Sequence, residues 1–402
     1  MNTAGGWRDI RLPGHLLREL HRGYAPLESP AVGYALAAVT LAFGCTWAAF
    51  FLWRRRVRPL RRAWPVHLGG SVGSVVLVLA TVLAFVNIYA GYAPTLASVP
   101  SMLGGTSASA IAARSGGRLR TLVIGAPRLR IAPRTAYVYL PRGYDAPRNR
   151  HRRYPVVYLI HGYPGGAYDW LRAGHLATIM DNLTSARLIP PMIAVTPDAN
   201  GSWFHDSECL NQVHGPQVAT YLTHTVVDTV QHRYRALTAR RDRLFGGASS
   251  GGFCALNIGL RYQAEFGALL AFEPYGTPGA PLQRTLLGGS AALYRANSPS
   301  SYIPHLRLRH RVIAYLDAGG AARQDVARVR RLARMLAARA DPGRTGRSRR
   351  TVVAFRVVPH QTHTWREAAN GLPYGLAFVA RELHLRTTVP LIEAQRRVRT
   401  RP

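Results

Sequence analysis

Residues 242–260 read DRLFGGASSGGFCALNIGL, an apolar run of strand character joined to an apolar run of helix character through glycine pairs on either side of Ser249 and Ser250. Within it, Gly247-Ala248-Ser249-Ser250-Gly251 fits G-x-S-x-G. In that turn a strand meets a helix so sharply that the serine takes a strained backbone and projects its hydroxyl above the sheet. Small neighbours are required because a Cβ would collide. The pentapeptide alone is a weak signal in a glycine-rich chain, and the strand before it and helix after it give it weight. The stretch therefore predicts a sheet whose strands alternate with helices, with Ser249 as nucleophile.

Working outward, TLVIGA and TAYVYLP form a leading pair of strands, and YPVVYLIHG, PMIAVTPD, DRLFGGAS, GALLAFEP, RVIAYLDAG and VVAFRVVPH follow as buried strands. Most are continuously apolar rather than alternating, as parallel strands covered on both faces should be. Helical stretches such as GPQVATYLTHTVVDTVQHRY and DVARVRRLARMLAARA fall between them. The expected fold is α/β, a doubly wound and mostly parallel sheet over residues 118–388.

A serine hydroxyl needs a base to take its proton and donors to hold the developing oxyanion. YPVVYLIHGYPGG ends an apolar strand at His161-Gly162-Tyr163. The backbone N–H groups of Tyr163 and Ser250 are the expected oxyanion donors, and His161 braces the loop. VVAFRVVPHQTHTWREA offers His360 and His363 as bases. His363 is preferred because it lies on the loop beyond the strand, with room to reach Ser249. Trp365 suits a pocket wall or the core equally.

HGYPGGAYDW, GGASSGGFCALNIGLRY and QTHTWREA together resemble the esterase D-type family of α/β-hydrolases, which includes mycolyltransferases. The resemblance covers roughly residues 118–388. It matches Gly247, Ser249, Gly251 and Gly252 to the family's G-x-S-M-G-G, with Ser250 where methionine is common, and Thr362, His363 and Trp365 to its T-H-x-W. ECLNQVHGPQVATYL resembles membrane-anchored bacterial members. The family implies carboxylester hydrolysis or acyl transfer with no metal or organic cofactor. The acid departs from the pattern: Gly319-Gly320-Ala321-Ala322-Arg323 has no carboxylate where the family carries G-x-x-D. Asp325 follows slightly later and is the first choice. Glu273, at the end of the preceding strand, and Asp317, at the end of its own, are the alternatives. A chain lacking the acid would be a degenerate hydrolase fold kept as an envelope-binding or interaction module.

The N-terminal part reads differently. Ser29–Trp53 and Val66–Ala113 carry no charged residue, and the centres Ala31–Trp53 and His67–Tyr89 are long enough for a hydrocarbon core, which takes about 20 helical residues. Between them RRRVRPLRRAW packs Arg54, Arg55, Arg56, Arg58, Arg61 and Arg62 into a short loop, the composition of a cytoplasmic turn. The expected organisation is an N-terminal segment 1–30, a transmembrane hairpin 31–91, a linker 92–117 rich in Ala, Ser, Gly and Pro, the extracytoplasmic hydrolase domain 118–388 and a basic tail 389–402.

All 52 basic residues are arginine, giving a formal charge of +33 spread evenly along the chain. That field favours anionic lipid or acidic polymer. No nucleic-acid-binding signature accompanies it, so nucleic acid is not an expected partner. Three cysteines exclude a disulfide scaffold and a four-ligand zinc site, while Cys209 and Cys254 would be able to pair outside the cell. The expected partners are an ester or acyl donor, a lipid or glycan acceptor, and the membrane. Too few membrane helices and no intramembrane charge exclude a transporter.

Overall fold

The computed structural model describes residues 10–21, 27, 29–57, 64–91, 116–203, 205–339 and 351–385. Residues 1–20 with 107–402 form one unit, and residues 21–106 a second.

The second unit is a pair of helices, here α2 (Pro30–Val57) and α3 (Trp64–Ala90). Spans Ala31–Val57 and Val66–Ile88 are long and apolar enough to cross a membrane. The pair is held by Thr40 Oγ1 to Thr81 Oγ1 at 2.8 Å and by an edge-on contact of Tyr34 with Phe85. Its outer faces expose Leu41 and Leu83 by 68% and 66%, which water would not favour and lipid would. Arg54, Arg55 and Arg56 close the last turn of α2. Arg58, Arg61 and Arg62 lie outside the described residues, as do most of the expected linker and the whole basic tail.

The first unit is an eight-stranded sheet. Its strands are β1 (Arg118–Ala126), β2 (Ile131–Leu140), β3 (Val156–Ile160), β4 (Ile193–Thr196), β5 (Arg243–Ala248), β6 (Ala268–Phe272), β7 (Ile313–Gly319) and β8 (Val352–Val358). Their order in space is β1-β2-β4-β3-β5-β6-β7-β8. β1 and β2 pair antiparallel, β2 meets β4 antiparallel, and every pairing from β4 to β8 is parallel. Parallel neighbours need crossovers that place helices on both faces. β3, β4, β6 and β7 are accordingly buried along their whole length, whereas the edge strand β1 is largely exposed.

Two helices build the site from opposite faces: α5 (Ser250–Arg261), which follows β5, and α7 (Trp365–Leu383), which follows β8. Between them in the chain comes α6 (Arg323–Ala338), after β7. α1 (Gly14–His21) falls in the first unit as far as Leu20. Its Leu16 is fully buried, and His15 bonds Asn182 of α4 (Leu176–Ser185) at 2.5 Å. An apolar side chain of α1 gains more by burial there than in water.

One buried acid pair lies between the sheet and α7. Asp317 and Glu367 face one another beside Arg356 and Tyr315, and both are fully buried. Burial pushes the Asp317 carboxyl up to about 8, with the Arg356 charge opposing, and burial likewise raises Glu367 far above the carboxylate range. An acid whose folded pKa is raised contributes stability that is full below its unfolded value of ~4 and is lost as pH rises through the folded value. The melting temperature should therefore fall between pH 5 and pH 9, and Asp317→Asn should flatten that fall. A calorimetric series across this range checks it; an unchanged slope in the variant would remove Asp317 as the cause.

Candidate active site

The register aligns the C-terminal ends of five strands. Ile160 pairs with Gly247, Ala248 with Phe272, Phe272 with Asp317, and Gly319 with Val358. The loops leaving these ends therefore share one rim, where open α/β sheets place their ligands.

Ser249 stands alone between the last residue of β5 and the first of α5, with φ 58° and ψ −116°. A non-glycine residue there is strained and holds only when its surroundings over-determine it. Its N–H donates to the Phe272 carbonyl at 2.9 Å, and its carbonyl accepts from Phe253 N–H at 2.9 Å. A Cβ on Gly251 would sit 2.2 Å from the Ile160 carbonyl oxygen, so only glycine lets α5 start this close to β3. The loop after β3 comes equally close from above, since a Cβ on Gly162 would lie 3.3 Å from Ser249 Cβ. Ser250 opens α5, so its N–H is among those a helix start leaves unpaired within the helix, at the positive end of the dipole.

His363 lies on the loop between β8 and α7, and its Nε2 is 2.8 Å from Ser249 Oγ. Its Nδ1 faces two carboxylates, Asp325 Oδ2 at 3.6 Å and Glu273 Oε2 at 3.7 Å. Asp325 enters from the first turn of α6 and also meets Arg328 at 3.1 Å. The neighbouring His363 lowers its carboxyl pKa, with burial opposing and Arg328 assisting. Glu273 follows β6 with a left-handed φ of 51°, and its Oε1 accepts from Gly319 N–H at 2.6 Å. Burial pushes its carboxyl up, against the pull of His363. Donor atoms of these three side chains all fall within 4.8 Å of one another, close enough to hold a metal ion. With Nε2 on the serine and Nδ1 toward the acids, the imidazole is instead arranged to pass a proton.

Two candidates fall elsewhere. Asp317 is removed from the histidine, because alternation along β7 puts it on the face that α7 covers, against Gly371. His360 is exposed on a turn with φ 58°. Trp365 is a core residue, 6% exposed and edge-on to Trp170.

His161 is buried between two loops. Its Nδ1 donates to the Gly162 carbonyl at 2.9 Å and its Nε2 accepts from Ala199 N–H at 3.2 Å, with Asp198 at 3.5 Å. Burial disfavours the imidazolium, but Asp198 and the Gly162 carbonyl outweigh it and raise the pKa. Asp198 in turn sits at about 2: burial opposes, while His161 and the N–H groups of Gly201 and Asn200 prevail. Both residues fix the loop over Ser249. Asn200 Oδ1 accepts from Ser207 N–H at 3.1 Å within the same loop.

One network was not legible in the sequence. Ser250 Oγ donates to Asp206 at 2.9 Å, and Glu208 accepts from Tyr275 OH at 3.0 Å and from Gly279 N–H at 3.1 Å. Burial, helped by Asp206, pushes the Glu208 carboxyl up to about 8. A Cys209–Cys254 disulfide ties this loop to α5. The bridge spans 45 residues, a closure worth ~4 kcal/mol in the chain-entropy model. Cys254→Ser should lower stability by roughly 2–4 kcal/mol and slow the reaction at Ser249, because the loop that holds Ser250 is released. Denaturant melts and labelling rates check both; an unaltered melt would make the bridge dispensable.

Comparison with known proteins follows the same lines. The Esterase family model matches residues 132–368, more than half of the chain. An uncharacterized protein of Corynebacterium glutamicum is 29% identical over 174 residues, 42% of this chain and 40% of that protein. An endo-1,4-beta-xylanase/feruloyl esterase of Xylanibacter ruminicola is 30% identical over 134 residues, 33% of this chain and 18% of that protein. The chain thus spans less than half the length of these curated relatives. A solved ferulic acid esterase superposes with a TM-score of 0.52 at 23% identity, over 66% of this chain and 98% of that one, and shows the α/β-hydrolase fold.

Proposed function

The chain belongs to the Esterase family, and on that premise we propose that it is a serine carboxylester hydrolase or acyltransferase, anchored by its N-terminal helical hairpin with the catalytic unit outside the cytoplasm. The observation that carries this reading is the 2.8 Å contact of His363 Nε2 with Ser249 Oγ at a strained strand-to-helix turn. His363 takes the hydroxyl proton as Ser249 attacks the ester carbonyl. The N–H groups of Tyr163 and Ser250 receive the oxyanion, and His363 returns the proton to the leaving alkoxide. Water, or a hydroxyl of a lipid or glycan, then attacks the acyl-enzyme by the same relay in reverse. Asp325 holds the ring in the required tautomer and offsets the imidazolium charge.

Placement outside the cytoplasm rests on two observations. A disulfide persists in an oxidising compartment. Arginines cluster at the turn between the two spans, the side that stays cytoplasmic. The substrate class is a carboxylic ester, in keeping with the feruloyl esterase named among the relatives, and the basic field would favour acidic envelope material.

A fluorophosphonate probe on the full-length chain tests the reading. The expected result is one adduct, on Ser249. A folded protein that stays unlabelled would turn the reading to a binding module built on a hydrolase fold.

A further inference from the structure

We propose that Glu273 and Asp325 act jointly on His363, two positioning carboxylates from different strand ends sharing one imidazole Nδ1–H. This rests on the reading of Ser249 and His363 as nucleophile and base.

The geometry treats the two acids almost alike, at 3.7 and 3.6 Å from the same nitrogen. Neither distance is a hydrogen bond, and one N–H cannot satisfy both at full strength. The ring lies between them and bonds whichever it tilts toward. They reach it from separate parts of the chain, Glu273 after β6 and Asp325 after β7.

Their surroundings differ in a way that gives each a use. Asp325 is partly exposed, at 18% of its side chain, and shares its charge with Arg328. Solvent and a cation both weaken its hold on the ring. Glu273 is 3% exposed. A backbone in the left-handed region, unfavourable for glutamate, aims its carboxylate inward. Its Oε1 is satisfied by Gly319 N–H, while its buried Oε2 has no hydrogen-bond partner among the described residues. A carboxylate oxygen left so is costly. The cost is recovered when His363, protonated by Ser249, turns its Nδ1–H that way. Bracing Gly319 would need only one oxygen, and a glutamine would serve for it. The second oxygen, facing the histidine, is what a purely structural role does not explain.

The imidazolium formed during acyl transfer thus sits between two carboxylates, and loss of either leaves the other in place. The test uses the full-length chain with p-nitrophenyl acetate and a fluorophosphonate probe, comparing Asp325→Asn, Glu273→Gln and the double variant. Glutamine still accepts from Gly319 N–H, so Glu273→Gln removes charge while keeping the brace. Each single variant should lose about ten-fold in kcat/KM, and the double ~10³–10⁴-fold, more than the product of the singles. The acidic limb of the pH–rate profile, which reports the base, should move to lower pH in each single variant and further in the double. The inference is overturned if Asp325→Asn alone falls as far as the double while Glu273→Gln matches wild type, or if the roles are reversed. Should Glu273→Gln fail to fold, Asp325→Asn decides by itself: a retained tenth of the rate supports the shared arrangement, and a loss beyond 10³-fold ends it. Failure of the underlying assignment looks different, because the folded wild type would then not react with the probe.

Discussion

Ser249→Ala is expected to fold like the parent chain and to lose on the order of 10⁶-fold in ester turnover, with fluorophosphonate labelling abolished. The fold should survive because alanine keeps the Cβ. The backbone at φ 58° is therefore no more strained than before, and the bonds to Phe272 and Phe253 are main-chain bonds that the change leaves intact. The Oγ makes one described side-chain bond, to His363, in a partly solvated position. Its loss is worth about 1 kcal/mol or less of stability. The chemistry has no such reserve. Ser250, the adjacent hydroxyl, is engaged by Asp206 and cannot take over the attack. Turnover that remains would be what the oxyanion donors provide alone. Melting curves and initial rates on the same preparations decide the matter: an equal melt with an equal rate would place the nucleophile elsewhere.

The parts of this architecture legible in the sequence are those where one local pattern has one physical cause. β3 and β6 are continuously apolar because both faces are covered, and that pattern is independent of what covers them. The turn around Ser249 is legible because its glycines answer to backbone contacts, which no other residue type satisfies. The acid was harder. Asp325 and Glu273 lie 52 positions apart and meet only at His363, so spacing gave no means of seeing that both arrive. Asp317 was excludable in principle, since two-residue alternation puts it on the face of Tyr315 rather than at the rim. The Asp206–Ser250 contact joins a loop to a helix across 44 positions and leaves no periodic trace. For the same reason α1, a short helix before the hairpin, gave no sign that its Leu16 is buried against the sheet-bearing unit.

Gly251→Ala should do what Ser249→Ala does not, and remove fold and activity together. The added methyl would come within 2.2 Å of the Ile160 carbonyl oxygen and 2.6 Å of the His161 carbonyl oxygen. Both are main-chain atoms at the end of a central strand, and neither can swing aside as a side chain would. Relief requires the start of α5 to retreat from β3. That retreat would carry Ser250 N–H away from the oxyanion position and open the approach of Gly162 to Ser249 that the rim depends on. Helix propensity favours alanine by ~1 kcal/mol, too little to offset a main-chain collision. The expected cost is roughly 3–5 kcal/mol, at the upper end for a single substitution, with labelling of the folded fraction slowed by at least ~10³-fold. Gly166→Ala is the control, since a Cβ there meets nothing within 4 Å, and it should leave both melt and labelling rate unchanged. Denaturant melts of the two variants beside the parent separate the cases. A Gly251→Ala protein as stable and as reactive as the parent would mean that the serine is held by something other than the closeness of this turn to β3.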